Sequence, residues 1–373
     1  MTGYVVIMVV CLLLMGALLA VTPSLMPPTE CFAVSVPPSA QQDPRIRALK
    51  CSYARTVVVT TVVCMLLLAL VSVLVGEDGL HSSLYLAATI AVTFVPMVVG
   101  FVLMLRNRAQ VRELKRVEQW AASSSRAVAF VGEGECEGAV PLAWNLLYLP
   151  LVVALVLFGV LSYDRFPELI PMQCEFDGTV TRYVPKSLGS VLMPAILVGF
   201  MGLLFLFTHW AIIRSKRPID PASPATSAMA YDGFVHMQSL VLFVGGLAIS
   251  VAIGVAFNLS SLEIISLSAA AILVGVVAIA FALAEAWVGI ALGQSGSRLA
   301  AQLRTTDELA YDDDAHWPLG MIYFNADDAS VIVPKRFGIR LTLNMARPAT
   351  WVIAALLVVV TAAFAVLTTV LVG

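Results

Sequence analysis

The sequence predicts an all-α membrane protein, an eight-helix transmembrane bundle that carries a small cytoplasmic β-hairpin domain. Three observations lead there. Of the 373 residues, 60% are hydrophobic and only 12% are charged, with a mean hydropathy of +0.93, which is more apolar surface than a soluble core of this size hides. The apolar residues fall into eight runs, 4–21, 57–76, 84–105, 142–161, 189–213, 236–257, 264–292 and 351–372. Nineteen of the 22 Lys and Arg residues lie in alternate loops between those runs. A hydrocarbon layer of roughly 30 Å takes about 20 apolar residues per helix, and backbone groups in lipid must bond within the segment, so each run is helical.

The first helix, 4–21, has no positive charge ahead of it, and the basic residues Arg45, Arg47, Lys50 and Arg55 follow it. That order fits a reversed signal-anchor rather than a cleaved signal peptide, although Ala-Leu-Leu-Ala at 17–20 leaves cleavage open. Loops 22–56, 106–141, 214–235 and 293–350 hold the nineteen basic residues and are therefore expected in the cytosol, which places both termini outside the cytoplasm. The chain then divides into 1–141 (helices one to three), 142–213 (helices four and five with loop 162–188), 214–292 (helices six and seven), 293–350 (the hairpin domain) and 351–373 (helix eight).

Past helix three, Val111, Leu114, Val117 and Trp120 recur at helical spacing with cations on the other face. This reads as a basic amphipathic extension near the anionic leaflet or as a solvated helix end that sets topology. Interior prolines at 96, 150 and 194 are expected to kink their helices. Helix seven carries small residues, including Ala271, Gly275, Ala278, Ala282 and the GxxxG pair Gly289 and Gly293, which allow close packing or dimerisation. Cys31, Cys51 and Cys136 fall on the reducing side, Cys11 and Cys64 in helices and Cys174 outside, so no disulfide is expected.

Loop 162–188 is the dense extracytoplasmic segment. Pro167, Pro171 and Pro185 restrict its backbone, Asp177-Gly178 is a turn signal, and Phe176–Tyr183 reads as a small hairpin. A loop so ordered, with charges of both signs, is either a recognition surface or a connector that caps helices four and five. Candidate recognition residues are Pro167, Pro171, Gln173, Asp177, Gly178, Arg182 and Lys186.

Loop 293–350 opens with a polar helix-like stretch, Arg298–Leu309, and an acidic run, Asp312-Asp313-Asp314. Two β-prone runs, Trp317–Asn325 and Val331–Arg336, flank an Asp-rich turn and are expected to pair. Trp317, Tyr323, Asn325, Lys335 and Arg336 are the candidate docking residues, and Lys335, Arg336, Arg340 and Arg347 could hold the domain against headgroups. The aspartates lack the glycine and distal glutamate of an EF-hand loop, so a solvated turn is expected and no metal.

Two ionisable groups lie inside the spans. Glu285 reads as a proton-coupling or substrate-cation group, or as the buried partner of a cation. His209, beside Trp210, reads as a satisfied interfacial histidine. HExxH, GxSxG, Walker and paired intramembrane aspartate patterns are absent, so the chain is not expected to be an enzyme, to carry a cofactor or to bind nucleic acid directly.

The loop residues Tyr163, Phe166-Pro167, Ile170-Pro171, Asp177-Gly178 and Lys186-Ser187 resemble the Leu-Pro-x-x-Ile-Pro pattern of a widespread family of bacterial membrane proteins of largely unknown function related to SdpI-type immunity proteins. Segment Leu319-Gly320, Tyr323, Asn325, Asp328 and Val333–Gly338 looks like the C-terminal domain of one subgroup, and Cys31–Pro37 with Asp43–Ile46 looks like its first cytoplasmic loop. The resemblance implies protection against a secreted peptide toxin and control of an autorepressor held at the membrane; the expectation adopted is a multi-pass protein of the bacterial inner membrane that senses or neutralises a peptide or an envelope-active compound and docks a transcriptional repressor or a membrane partner protein. Gln173 stands where that family usually has histidine, which puts pH sensing or metal binding there in doubt. Transport of a small molecule or lipid through kinked helices around Glu285, and a scaffold role through the GxxxG face, are the alternatives. Membrane lipids are partners in every case.

Overall fold

A computed structural model describes residues 2–80, 83–122, 138–174, 179–219, 223–303, 309, 311–338 and 341–372. Eight helices among them are long and apolar enough to cross a membrane, so the chain is a multi-pass membrane protein. In order these are α1 (Thr2–Leu25), α2 (Pro44–Leu80), α3 (Ser83–Val117), α4 (Tyr148–Leu161, which a 3-10 stretch from Leu142 lengthens to 20 residues), α5 (Leu188–Ile213), α6 (Pro224–Ser261), α7 (Leu267–Leu292) and, after the short α8 (Ser297–Leu303), α9 (Pro348–Val372). Three two-stranded antiparallel sheets join them: β1 (Glu30–Cys31) with β2 (Val34–Ser35), β3 (Leu169–Cys174) with β4 (Val180–Pro185), and β5 (Ile332–Pro334) with β6 (Leu341–Leu343). The expected fold class is the one observed.

The chain folds into two compact units. The first combines Met1–Gly132, Lys216–Tyr231 and Ala291–Ala346, and the second combines Glu133–Ser215, Asp232–Ile290 and Arg347–Gly373. In the first unit α1 packs along α2 and α2 along α3. Gly16 permits the first contact, because a Cβ there would overlap the Thr61 side chain. Asp43 starts α2: its carboxylate accepts from Arg45 N–H at 2.7 Å, and Pro44 takes the first helical position, where no N–H is needed. Arg45 also reaches Glu118 at 2.7 Å and so ties the start of α2 to the chain just past α3.

The apolar core of this unit is built on the β1–β2 turn. Phe32, Tyr53 and Phe337 form a triangle of rings with centroids 5.7, 6.1 and 6.0 Å apart. Val111 is buried there and Leu114 and Trp120 pack against it, so the apolar face of the basic extension of α3 is turned to this core and the extension is no solvated end; only Val117 of the four stays well exposed.

Other expectations are corrected. Strand β5 pairs with β6, not with 317–325, because that earlier run is bent into tight turns with Leu319 and Gly320 at positive φ; Tyr323 makes a single bridge to Asn344. Gly293 lies past the end of α7 at φ +72, so it forms no helical pair with Gly289. Pro150 falls in the first turn of α4, where proline breaks no hydrogen bond, whereas Pro96 and Pro194 are interior. Helix α8 covers Ser297–Leu303, and 304–308 of the expected 298–309 stretch lie outside the described residues. Cys136, Asp177, Gly178 and Arg340 lie outside the described residues.

In the second unit Leu155, Ala195, Val198 and Ile253 form the core of α4, α5 and α6. Phe200 on α5 stacks on Phe364 of α9 at 4.0 Å, and Tyr148 stacks on Phe205 at 6.2 Å.

Candidate functional site

The densest chemistry in the first unit surrounds Arg336. Cys31 and Val34 pair across a two-residue turn, Phe32-Ala33, with φ of 46° and 60°. This is the left-handed geometry of a tight hairpin turn, and it costs a non-glycine residue about 1–3 kcal/mol. The turn aims the Ala33 carbonyl at two guanidinium groups: Arg108, on α3, donates to Ala33 O and, at 2.8 Å, to Trp317 O, and Arg336 donates to Ala33 O at 3.4 Å. Arg336 also donates to Asp313 Oδ1, Asp314 Oδ1 and, at 2.7 Å, Ser35 Oγ, and its Nε lies 3.6 Å from Glu30. Lys115, two turns beyond Arg108, bridges Asp312 at 2.6 Å and Asp314 at 2.7 Å.

Burial sets the protonation of this cluster. Glu30 keeps about one-fifth of its side-chain exposure, yet burial lifts its carboxyl to about 7, against the pull of Arg336 and with a push from Asp314. Burial also opposes ionisation of Asp312, but the Lys115 hydrogen bond and the Asp314 N–H hold it below the usual carboxylate range. Burial draws the Arg336 guanidinium down, against Glu30 and Asp312. A second knot follows: Asp328 accepts from Lys216 Nζ at 2.7 Å and Tyr323 OH at 2.8 Å and, despite burial, is lowered to about 2. Asn344 Nδ2 donates to the carbonyls of Asn325, Asp328 and Ser330.

This arrangement overturns the docking assignment at three positions. Trp317, Tyr323 and Arg336 are 3%, 1% and 5% exposed, so they are core residues rather than a surface, and Arg336 is not available to headgroups. Asn325 and Lys335 are half-buried. The acidic run is not a solvated turn either, because Lys115 and Arg336 occupy it. Glu30, Ser35, Arg108, Lys115 and the three aspartates were not singled out from sequence as one site. The spacing of Arg108, Val111 and Lys115 on one helical face was the available signal.

The second unit presents the β3–β4 hairpin. Its base is fixed by Phe166, Ile170 and Val191, all buried. Lys186 Nζ donates to Phe166 O at 3.1 Å, lies 3.4 Å from Glu168 and sits 5.2 Å over the Tyr163 ring. Ser187 and Ser190 cap the start of α5 reciprocally, each side chain taking the other's backbone N–H. The hairpin is larger than expected, with Leu169–Cys174 opposite Val180–Pro185. Pro171 is buried and Pro167 half-buried, while Gln173 and Arg182 are exposed and face each other in register between two irregularities of the ladder.

Inside the spans, His209 is fully buried. Its Nε2 lies 3.0 Å from Val140 O and must donate, so Nδ1 accepts from Asn145 Nδ2 at 2.8 Å. Glu285 accepts from Gln238 Nε2 at 2.5 Å.

Eight apolar helices, a polar clasp among loops and a hairpin with exposed polar residues define a multi-pass membrane protein with two ordered extramembrane elements. A domain of unknown function (DUF1648) matches residues 151–198, which hold most of α4, the β3–β4 hairpin and the start of α5. A family of unknown function (DUF5808) matches residues 326–351, which hold β5, β6 and the start of α9. No curated protein and no solved structure matches the chain.

Proposed function

We propose that the chain is a non-enzymatic bacterial membrane immunity or signalling protein, in which the β3–β4 hairpin faces away from the cytosol and meets a peptide or an envelope-active compound. The observation that carries this reading is the pairing of Gln173 and Arg182, exposed side by side on a hairpin whose base is locked. Rigid placement of a donor–acceptor amide beside a guanidinium suits recognition of a peptide backbone or carboxylate. Ordering cost is small when the binding residues are already held.

Sidedness has its own support. Parts of all four basic loops bond to one another through Ser35–Asp314, Arg108–Ala33, Lys115–Asp312 and Lys216–Asp328, so these loops emerge on one side. By the positive-inside rule that side would be the cytosol, and the alternation of basic and non-basic loops along the sequence supports a reading with both termini and the hairpin outside. The resemblance to SdpI-type proteins points the same way.

The test is survival of a sensitive host challenged with membrane-active peptides. Wild type is expected to protect, and Gln173→Ala with Arg182→Ala to lose protection at unchanged protein level; equal killing of all strains defeats the reading for those peptides. A second reading, transport, draws on the Gln238–Glu285 hydrogen bond within α6 and α7 and requires that Glu285→Gln abolish flux of the transported solute.

A further inference from the structure

The clasp turns one stretch of the first unit inside out in an unusual way. Phe324 N–H bonds to His316 O at 2.9 Å and closes a loop whose large aromatic residues Trp317 and Tyr323 point inward, with ring centroids 4.8 Å apart. Met321 packs against the core of the unit, while Leu319, Ile322 and Phe324 point the other way. Leu319, Ile322 and Phe324 are 53%, 40% and 55% exposed. Leu319 is held in this attitude at φ +55, a conformation costly for a leucine. Gly320, at φ +73, has no room for a Cβ between Arg108 and Ala33.

The geometry points to this loop as a seat on the bilayer, with Leu319, Ile322 and Phe324 entering the headgroup–acyl boundary at the end of the unit where the basic loops emerge. Three observations select lipid as the occupant. First, the loop is fixed at membrane level: Trp317 O accepts from Arg108, which is three residues past Leu105, the last apolar residue of α3 before Arg106, or about 4.5 Å of helical rise. Tyr323 O accepts from Met345 N–H at 2.9 Å, three residues ahead of Pro348, where the last apolar helix begins.

Second, Ala315–Ala326 contains no Asp, Glu, Lys or Arg but has Trp, Tyr, Phe, Pro, Leu, Ile and Met, the composition of an interfacial segment. Third, most of the acidic flank that would repel an anionic leaflet is already paired: Asp312 and Asp314 with Lys115, Asp313 and Asp314 with Arg336, Asp328 with Lys216, which leaves the exposed Asp327 as the flanking carboxylate turned to water. An exposed apolar patch so placed suits contact with lipid more than with water. The inference goes beyond the proposed function and stands or falls independently of it.

Photocrosslinking of the full chain tests it. A p-benzoylphenylalanine replaces Phe324 or, separately, Ile322 in vesicles of phosphatidylethanolamine and phosphatidylglycerol. The same label at Leu203, 58% exposed on α5, is the lipid-facing control, and at exposed Ala329 the water-facing control. Phospholipid adducts at 322 and 324 are expected at half or more of the yield at 203 and at least fivefold above 329. Yields at 324 and 322 no higher than at 329, or adducts to a second copy of the chain in place of lipid, overturn the inference.

Discussion

Removing the guanidinium at the centre of the clasp gives the sharpest prediction. In Arg336→Ala, Asp313 and Asp314, whose side chains are 12% and 16% exposed, lose their shared partner, and Ser35 Oγ and Glu30 lose a neighbour. Breaking a buried ion pair by deleting one member costs about 3–5 kcal/mol, because the other charge stays desolvated. That is a large share of a unit's stability. Cys31 supplies a native reporter, since its side chain sits in the turn at 0% exposure and burial pushes its thiol up to about 11. Labelling of Cys31 by a water-soluble maleimide requires local opening, and its rate follows the opening equilibrium when reclosing is fast. At about 1.4 kcal/mol per factor of ten, the variant should label on the order of 10²–10³ times faster, read peptide by peptide in mass spectra to separate Cys31 from exposed Cys51. A rate within threefold of wild type would refute the view that Arg336 holds the loops together.

Further outcomes follow from the same geometry. Because the carboxyl of Glu30 is raised from 4.5 to about 7, its contribution is present at low pH and fades as pH climbs through 7. After correction for thiolate fraction, Cys31 should therefore open about tenfold more often at pH 8 than at pH 6, and Glu30→Gln should flatten that dependence. Ser187→Ala removes the cap of α5 and should cost about 1 kcal/mol, seen as roughly fivefold faster amide exchange in the first turn of that helix; unchanged exchange would deny the cap a role. Gly16→Leu should separate α1 from α2 at Thr61 and lower the thermal midpoint of the purified protein, whereas an unchanged midpoint would mean the helices do not meet there.

Hydropathy makes the spans legible, since roughly 20 apolar residues in lipid admit one backbone solution. The prolines and the β-prone run of loop 162–188 likewise located the β3–β4 hairpin, though its first strand starts earlier than Phe176, and the Asp177-Gly178 turn lies outside the described residues. The C-terminal hairpin was misread for a local reason: Trp317–Asn325 has strand-like composition, but Pro318 and the positive φ of Leu319 and Gly320 break it, and the true partner of β5 is only three residues long. The clasp was illegible for a different reason. Ser35 and Asp314 are 279 positions apart, and Arg336 and Ser35 are 301 apart, so no window on the sequence holds both ends of either contact. Asp312-Asp313-Asp314 looks like a solvated turn until its cations arrive from α3 and from the chain just past β5.

The position of the clasp also explains why its central cation is arginine. At the edge of a bilayer an apolar contact between loops competes with lipid, which is as apolar as the loops and covers the same surface. A forked donor meeting fixed carboxylates has no such competitor, so polar contacts can specify one arrangement of distant segments where apolar ones cannot. Arg336 uses that fork, with Nη1 on Asp314 and Nη2 on Asp313 and Ser35 while Nε faces Glu30. Lysine keeps the charge, and Lys115 shows that one ammonium can bridge two carboxylates, but it is too compact to span Asp313, Asp314, Ser35 and Glu30 together. Arg336→Lys should then fall between wild type and Arg336→Ala, with Cys31 labelled about 10–30 times faster than in wild type. A lysine variant indistinguishable from wild type would show that net charge, rather than the planar fork, joins these segments.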